Sequence, residues 1–191
     1  MITRASILAI AGLFLIFMPS AVRAQHRDHL TPQEVDLIKD TQILDKRIDV
    51  FIRAAERRVL VLTGSANAGN NAKQLKKDSE KWGELPTGSP GELVSDVARI
   101  LDEAITNIDD VSARDEKNPL IPKALRKLAA AATRIVDQVK PFAEKAQGAA
   151  ETYSFDQLTE NAEAIAQAAS KLPPEVAKKG KSKEEKPKTT N

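Results

Sequence analysis

The residues that could do chemistry in this chain are few. There is no cysteine, so thiolate catalysis, disulfides, iron–sulfur clusters and cysteine-built zinc sites are excluded. The only methionines are Met1 and Met18, and the only histidines are His26 and His29. In Gln25-His26-Arg27-Asp28-His29, two imidazoles sit beside a carboxylate. If the chain is cut before Gln25, a free amine joins them, and the set offers nitrogen donors to Cu(II) or Ni(II). His26 and His29 are therefore the candidate metal ligands. The competing and favoured reading is a solvated terminus without a fixed scaffold, whose histidines are incidental. No cofactor is expected, because the positions that would face inward carry Leu, Ile, Val, Ala and Phe rather than haem or metal ligands.

Asp96, Glu103 and Asp110 recur every seven residues, with Asp102 and Asp109 beside them. Two carboxylates at a suitable separation can cleave glycosidic bonds. That chemistry needs a cleft and two unlike environments, whereas a regular acidic stripe reads as a wet face. Lys46, Arg53 and Arg57 form a comparable basic stripe. The two stripes are expected to meet, if at all, as surface ion pairs of little energetic weight. A histidine-dependent triad would have to borrow from the terminus, and the expectation is a protein that is not an enzyme.

Charge is unevenly distributed. Of 29 basic and 27 acidic residues, Arg4 and Arg23 lie in the first 24 positions; six lysines and three glutamates lie in 173–191. Residues 25–172 are thus net acidic, with 21 basic and 24 acidic groups. A folded nucleic-acid reader needs a basic face, so nucleic acid is not an expected partner.

The ends carry their own signals. Arg4 precedes the apolar run Ile7 to Met18, then Pro19, Ser20 and the small-residue pattern Val22-Arg23-Ala24. This is a secretory signal pattern over residues 1–24. As a helix the apolar run rises about 18 Å, short of a hydrocarbon core of roughly 30 Å, so cleavage is favoured over a retained anchor. The expected location is periplasmic or extracellular. Residues 173–191 are Lys, Glu, Pro and Thr with almost nothing to bury, and are read as a disordered tail. Its lysines could touch anionic surfaces weakly.

Between these ends, the pattern that must position everything else is helical. Thr31-Pro32-Gln33-Glu34 is a capping box with proline at the first helical position, opening a short helix to Asp40. Ile48, Phe51, Ile52, Ala55, Val59 and Leu62 step by threes and fours from Asp45 to Thr63, and Gly64 is a stop. Residues 64–91 hold five glycines and two prolines; within them Asn71 to Trp82 reads as a loose helix, with Trp82 as a staple for the loop. Leu93 to Val111 carries a continuous apolar stripe. Asn118-Pro119 opens a segment through Leu125, Leu128, Ala132, Ile135, Val139 and Phe142 to Ala146, kinked by Pro141. Ser154-Phe155-Asp156-Gln157 reads as a further capping box, followed by Leu158, Ala162, Ile165 and Leu172. The expected fold class is all-α: an antiparallel bundle of about four long helices plus a short N-terminal helix, over residues 25–172.

The stretch Leu30-Thr31-Pro32-Gln33-Glu34-Val35, continuing through Asp45-Lys46-Arg47-Ile48-Asp49-Val50-Phe51, resembles the start of uncharacterised secreted helical proteins of bacteria. The resemblance implies an exported helical protein and no particular activity. The sequence reading is therefore an exported, non-enzymatic interaction or structural protein of the envelope, with a periplasmic metal-handling protein as the alternative.

Overall fold

The structure is a computed structural model that describes residues 28–174. The expected signal segment, His26 and nearly all of the lysine-rich tail lie outside them. Among the described residues the secondary structure is entirely helical: α1 (Pro32–Asp40), α2 (Leu44–Leu62), a single 3₁₀ turn (Ser65–Asn67), α3 (Gly69–Trp82), α4 (Pro90–Arg114), α5 (Leu120–Ala143) and α6 (Ala149–Ser170). None of these helices is long and apolar enough to cross a membrane.

The caps follow from local chemistry. Thr31 accepts from the Glu34 amide while Glu34 reaches back to the Thr31 amide, as the sequence predicts. The same device opens α4. Ser89 and Glu92 exchange the two bonds with Pro90 at the first helical position, so α4 starts three residues before the apolar stripe does. Gly64 ends α2 at φ +67°, a conformation that costs any residue with a Cβ.

Two further boundaries, in α5 and α6, differ from expectation. The segment carrying Pro141 ends at Ala143 rather than running to Ala146; past it the amides of Lys145 and Ala146 bond only three residues back, to the Phe142 and Ala143 carbonyls, in a tightened last turn. Ser154 is not a cap. Helix α6 starts at Ala149 after Gly148, and the Ser154 hydroxyl donates to the Ala150 carbonyl one turn back. A serine and a polar residue three positions on also occur in helix interiors, where the hydroxyl bonds backward instead.

Helix α2 packs on α4 and α5, and α6 packs on the same two; α4 also reaches α5, while α1 lies against α2 and α3. The core between the long helices is one aliphatic cluster centred on Ile48, Phe51, Ile100, Leu101, Leu128, Ile135 and Leu158, each fully buried. Alanines 54, 55, 98, 104, 124 and 132, also fully buried, let the helix backbones approach closely.

Candidate functional site

The densest chemistry lies where α1, α2, α4 and the loop after α3 converge. Glu34 is 0 % exposed, Arg57 2 %, Arg58 1 % and Asp96 5 %. Glu34 is placed there by its own capping box. Its Oε2 accepts from the Thr31 amide at 2.9 Å, and its Oε1 accepts from Arg57 Nε at 3.1 Å and Arg58 Nη1 at 2.6 Å. One carboxylate thus receives three N–H donors, one from its own capping turn and two from α2.

The two arginines are neighbours on α2 and reach in different directions, since successive helical residues turn by about 100°. Arg57 Nη2 faces the carbonyls of Trp82, Gly83 and Glu84 at 3.1, 3.2 and 2.5 Å, and its guanidinium carbon sits 5.7 Å from the centre of the Trp82 ring. Gly83 is at φ +66°, and a Cβ there would come within 2.9 Å of the Gln33 side chain, so the loop presses directly on α1. Arg58 donates to the carbonyls of Ala54 at 2.9 Å and His29 at 2.7 Å. Its buried Nε makes no hydrogen bond and lies 3.9 Å from Asp96 Oδ2. Burial pushes the Arg57 guanidinium below its ordinary proton affinity, and the charge of Glu34 opposes that shift.

Two guanidiniums facing two carboxylates leave the cluster formally neutral. Glu34 has both oxygens occupied, so it is poorly placed as a base or a ligand. Its evident work is mechanical: it joins α1 to α2, and the arginines it holds pin the His29 backbone and the loop at 82–84. Trp82 is buried against Arg57 and fixes that loop.

This corrects the picture of two wet stripes. Arg57 and Asp96 are core residues, not surface residues. Lys46 and Asp110 do face solvent, while Arg53 and Glu103 are half-buried. The signal was present in the sequence: Arg58 follows Ala54 and Ala55 by four and three positions, on the apolar face of α2, and Glu34 completes a capping box. Charge type alone hid it.

His29 lies in a different contact. Its Nε2 is 2.8 Å from Glu103 Oε2, beside a groove of about 430 Å³ that Asp28, Asp36 and Lys39 also line. Among the described residues no three His, Asp or Glu side chains are placed to hold a metal ion together. His26, the other candidate ligand, is outside them.

A second ionic group ties α2 to α5. Asp45, 3 % exposed, meets Lys123 at 2.6 Å and Lys127 at 3.4 Å, and Lys127 also takes both oxygens of Asp49 at 2.7 and 2.8 Å. The hydrogen bond from Lys123 holds the Asp45 carboxyl below the usual carboxylate range against the opposing effect of burial. The same bond raises Lys123. A third group, more exposed, joins Glu56 to Arg134 at 2.5 Å and Arg53 to Asp78 at 3.4 Å. It borders a groove of about 410 Å³ between α2, α3 and α5. The chain matches no family model, no curated protein and no solved structure.

Proposed function

We propose that the protein is an exported, non-enzymatic helical protein that acts in the bacterial envelope by interaction or as a structural element. The observation that carries this reading is the use to which the buried charges are put. Glu34, Arg57 and Arg58 are consumed in joining α1, α2, the His29 backbone and the loop at 82–84. Such an arrangement supports a rigid body that presents surfaces. The four long helices run antiparallel in this reading, which the short links at 115–119 and 144–148 favour. Export rests on Arg4, the run Ile7–Met18 and Val22-Arg23-Ala24. Contact with anionic envelope surfaces falls to the tail, whose six lysines between 178 and 188 leave a net-acidic body.

The test is fractionation of an expressing bacterium with intact-mass measurement, followed by co-sedimentation of the product with vesicles rich in phosphatidylglycerol. The reading expects a chain starting at Gln25 in the periplasm or medium. It also expects binding that weakens as salt rises and is lost in a chain ending at Leu172. A full-length chain in the membrane fraction, or equal binding by both forms, overturns it.

The second reading, metal handling by His26 and His29, draws on the His29–Glu103 contact. A carboxylate on one ring nitrogen orients an imidazole and leaves the other nitrogen as a donor.

A further inference from the structure

The groove between α2 and α3 carries features that the interaction reading does not use. Helix α3 carries glycines in the left-handed region at both ends: Gly64 at φ +67° before it, Gly69 at φ +43° as its first residue, and Gly83 at φ +66° after it. It buries only Trp82. At backbone packing distance it meets the 3₁₀ turn and α1, and none of α4, α5 or α6. Its middle meets the body at Asp78, whose Oδ2 stands 3.4 Å from Arg53 Nη2.

That pair is long. Charge-assisted N–H···O bonds run at about 2.7–2.9 Å, yet the two ion pairs of Arg53 measure 3.4 Å to Asp78 and 3.8 Å to Glu56. Glu56 is already taken at 2.5 Å by Arg134. Arg53 therefore keeps a guanidinium fork without a short carboxylate partner. It opens on a groove of about 410 Å³ whose walls include Val59, Leu60, Thr63 and Asn71, within the size range of small-molecule sites.

We propose that this groove binds a small molecule bearing a carboxylate on a short aliphatic body, with α3 as its lid and Asp78 as the internal partner of Arg53 that the ligand displaces. The ligand carboxylate takes the Arg53 fork, and its aliphatic part lies against Val59 and Leu60. Asp78 leaves without being stranded, because Gln74, on the same helix, donates to its Oδ2 at 2.8 Å and moves with it. Its departure leaves Arg53 and Arg134 against Glu56 alone, an excess of one positive charge that favours an anionic ligand. Trp82, held by Arg57, stays as the pivot while the glycines at the other end absorb the change in backbone angle.

The test is titration of the ¹⁵N-labelled protein with N-acetyl-leucine at millimolar concentrations, using N-acetyl-leucinamide as the uncharged control. The expected result is amide shifts concentrated in residues 53–63 and 69–82 with the acid and absent with the amide. Arg53→Gln loses the response. Asp78→Asn tightens binding about two- to fivefold, the effect of removing one weak, half-buried competing ion pair. Equal shifts from acid and amide, an unchanged response in Arg53→Gln, or no tightening in Asp78→Asn each overturn the proposal. Because Asp78→Asn predicts a gain, a variant that is merely destabilised cannot mimic it.

Discussion

Replacing Glu34 by glutamine removes one charge and almost no volume from the centre of the molecule. The amide oxygen can still accept from the Thr31 backbone or from an arginine, but it cannot serve all three donors that the carboxylate serves. Arg57 and Arg58, 2 % and 1 % exposed, are then left with Asp96 as the one carboxylate at hand, 3.9 Å from Arg58 Nε. Removing one partner of a buried ion pair costs about 3–5 kcal/mol, because the remaining charge is desolvated and uncompensated. Glutamine keeps part of the hydrogen bonding, so Glu34→Gln is expected near the lower end, about 3 kcal/mol. Urea unfolding followed by circular dichroism checks this, with a lower midpoint and an unchanged slope. In a domain of this size the melting temperature should fall by about 6–12 °C, at 2–4 °C per kcal/mol. High salt should leave the difference in place, since buried pairs are screened little. A loss under about 1 kcal/mol, or one that salt abolishes, would refute the reasoning, for that is how an exposed pair behaves.

Asp45→Asn tests the α2–α5 junction by pH. The folded-state carboxyl is depressed, so its stabilisation is present above the unfolded value near 3.9 and is lost as pH falls through the folded value. The wild type should therefore lose more stability than Asp45→Asn between pH 5 and strongly acidic solution; parallel curves would remove the pair from the account. Trp82→Ala should cost about 3 kcal/mol through lost burial and the lost contact with Arg57, and a change under 1 kcal/mol in urea titrations would show the loop to be held otherwise. Limited proteolysis should cut between Gly64 and Asn71 before any site within Leu93–Val111, and the reverse order, read by mass spectrometry, would contradict the packing of α4. For the metal reading, Cu(II) titration of the exported chain should show weaker binding in His29→Ala, and identical isotherms would end it.

The helices were legible wherever an apolar stripe or a capping box marked them, as in α1 and in the stripe from Leu93 to Val111. The start of α4 was equally readable from Ser89-Pro90-Gly91-Glu92, the same pattern as Thr31-Pro32-Gln33-Glu34; the glycines and prolines before it drew it into the loop instead. The start of α6 misled because Ser154 has a polar residue three positions on, and a serine bonding back to the preceding turn has no separate sequence signature. The buried charges were hidden for another reason. A periodic reading sorts residues by polarity, and Arg57, Arg58 and Asp96 sit inside only because a specific partner 23 to 38 positions away meets them. Pairing across such distances is a property of the packed helices, not of any one of them.

One carboxylate serving two adjacent arginines also constrains how the protein can change. An apolar replacement of the whole cluster would be tolerable in principle, as buried ion pairs often exchange for well-packed hydrophobic residues without loss. No single substitution reaches it. Changing Glu34 first strands two cations, while changing either arginine first breaks the bonds it makes to Glu34 and to the backbone at 82–84 or at His29. Each first step leaves a charge or a set of carbonyls unmatched, at a cost comparable to much of a small domain's 5–15 kcal/mol. Positions 34, 57 and 58 are therefore epistatic as a group: lineages that carry the cluster are held to it by the depth of the valley around it, whether or not it confers the greatest stability available.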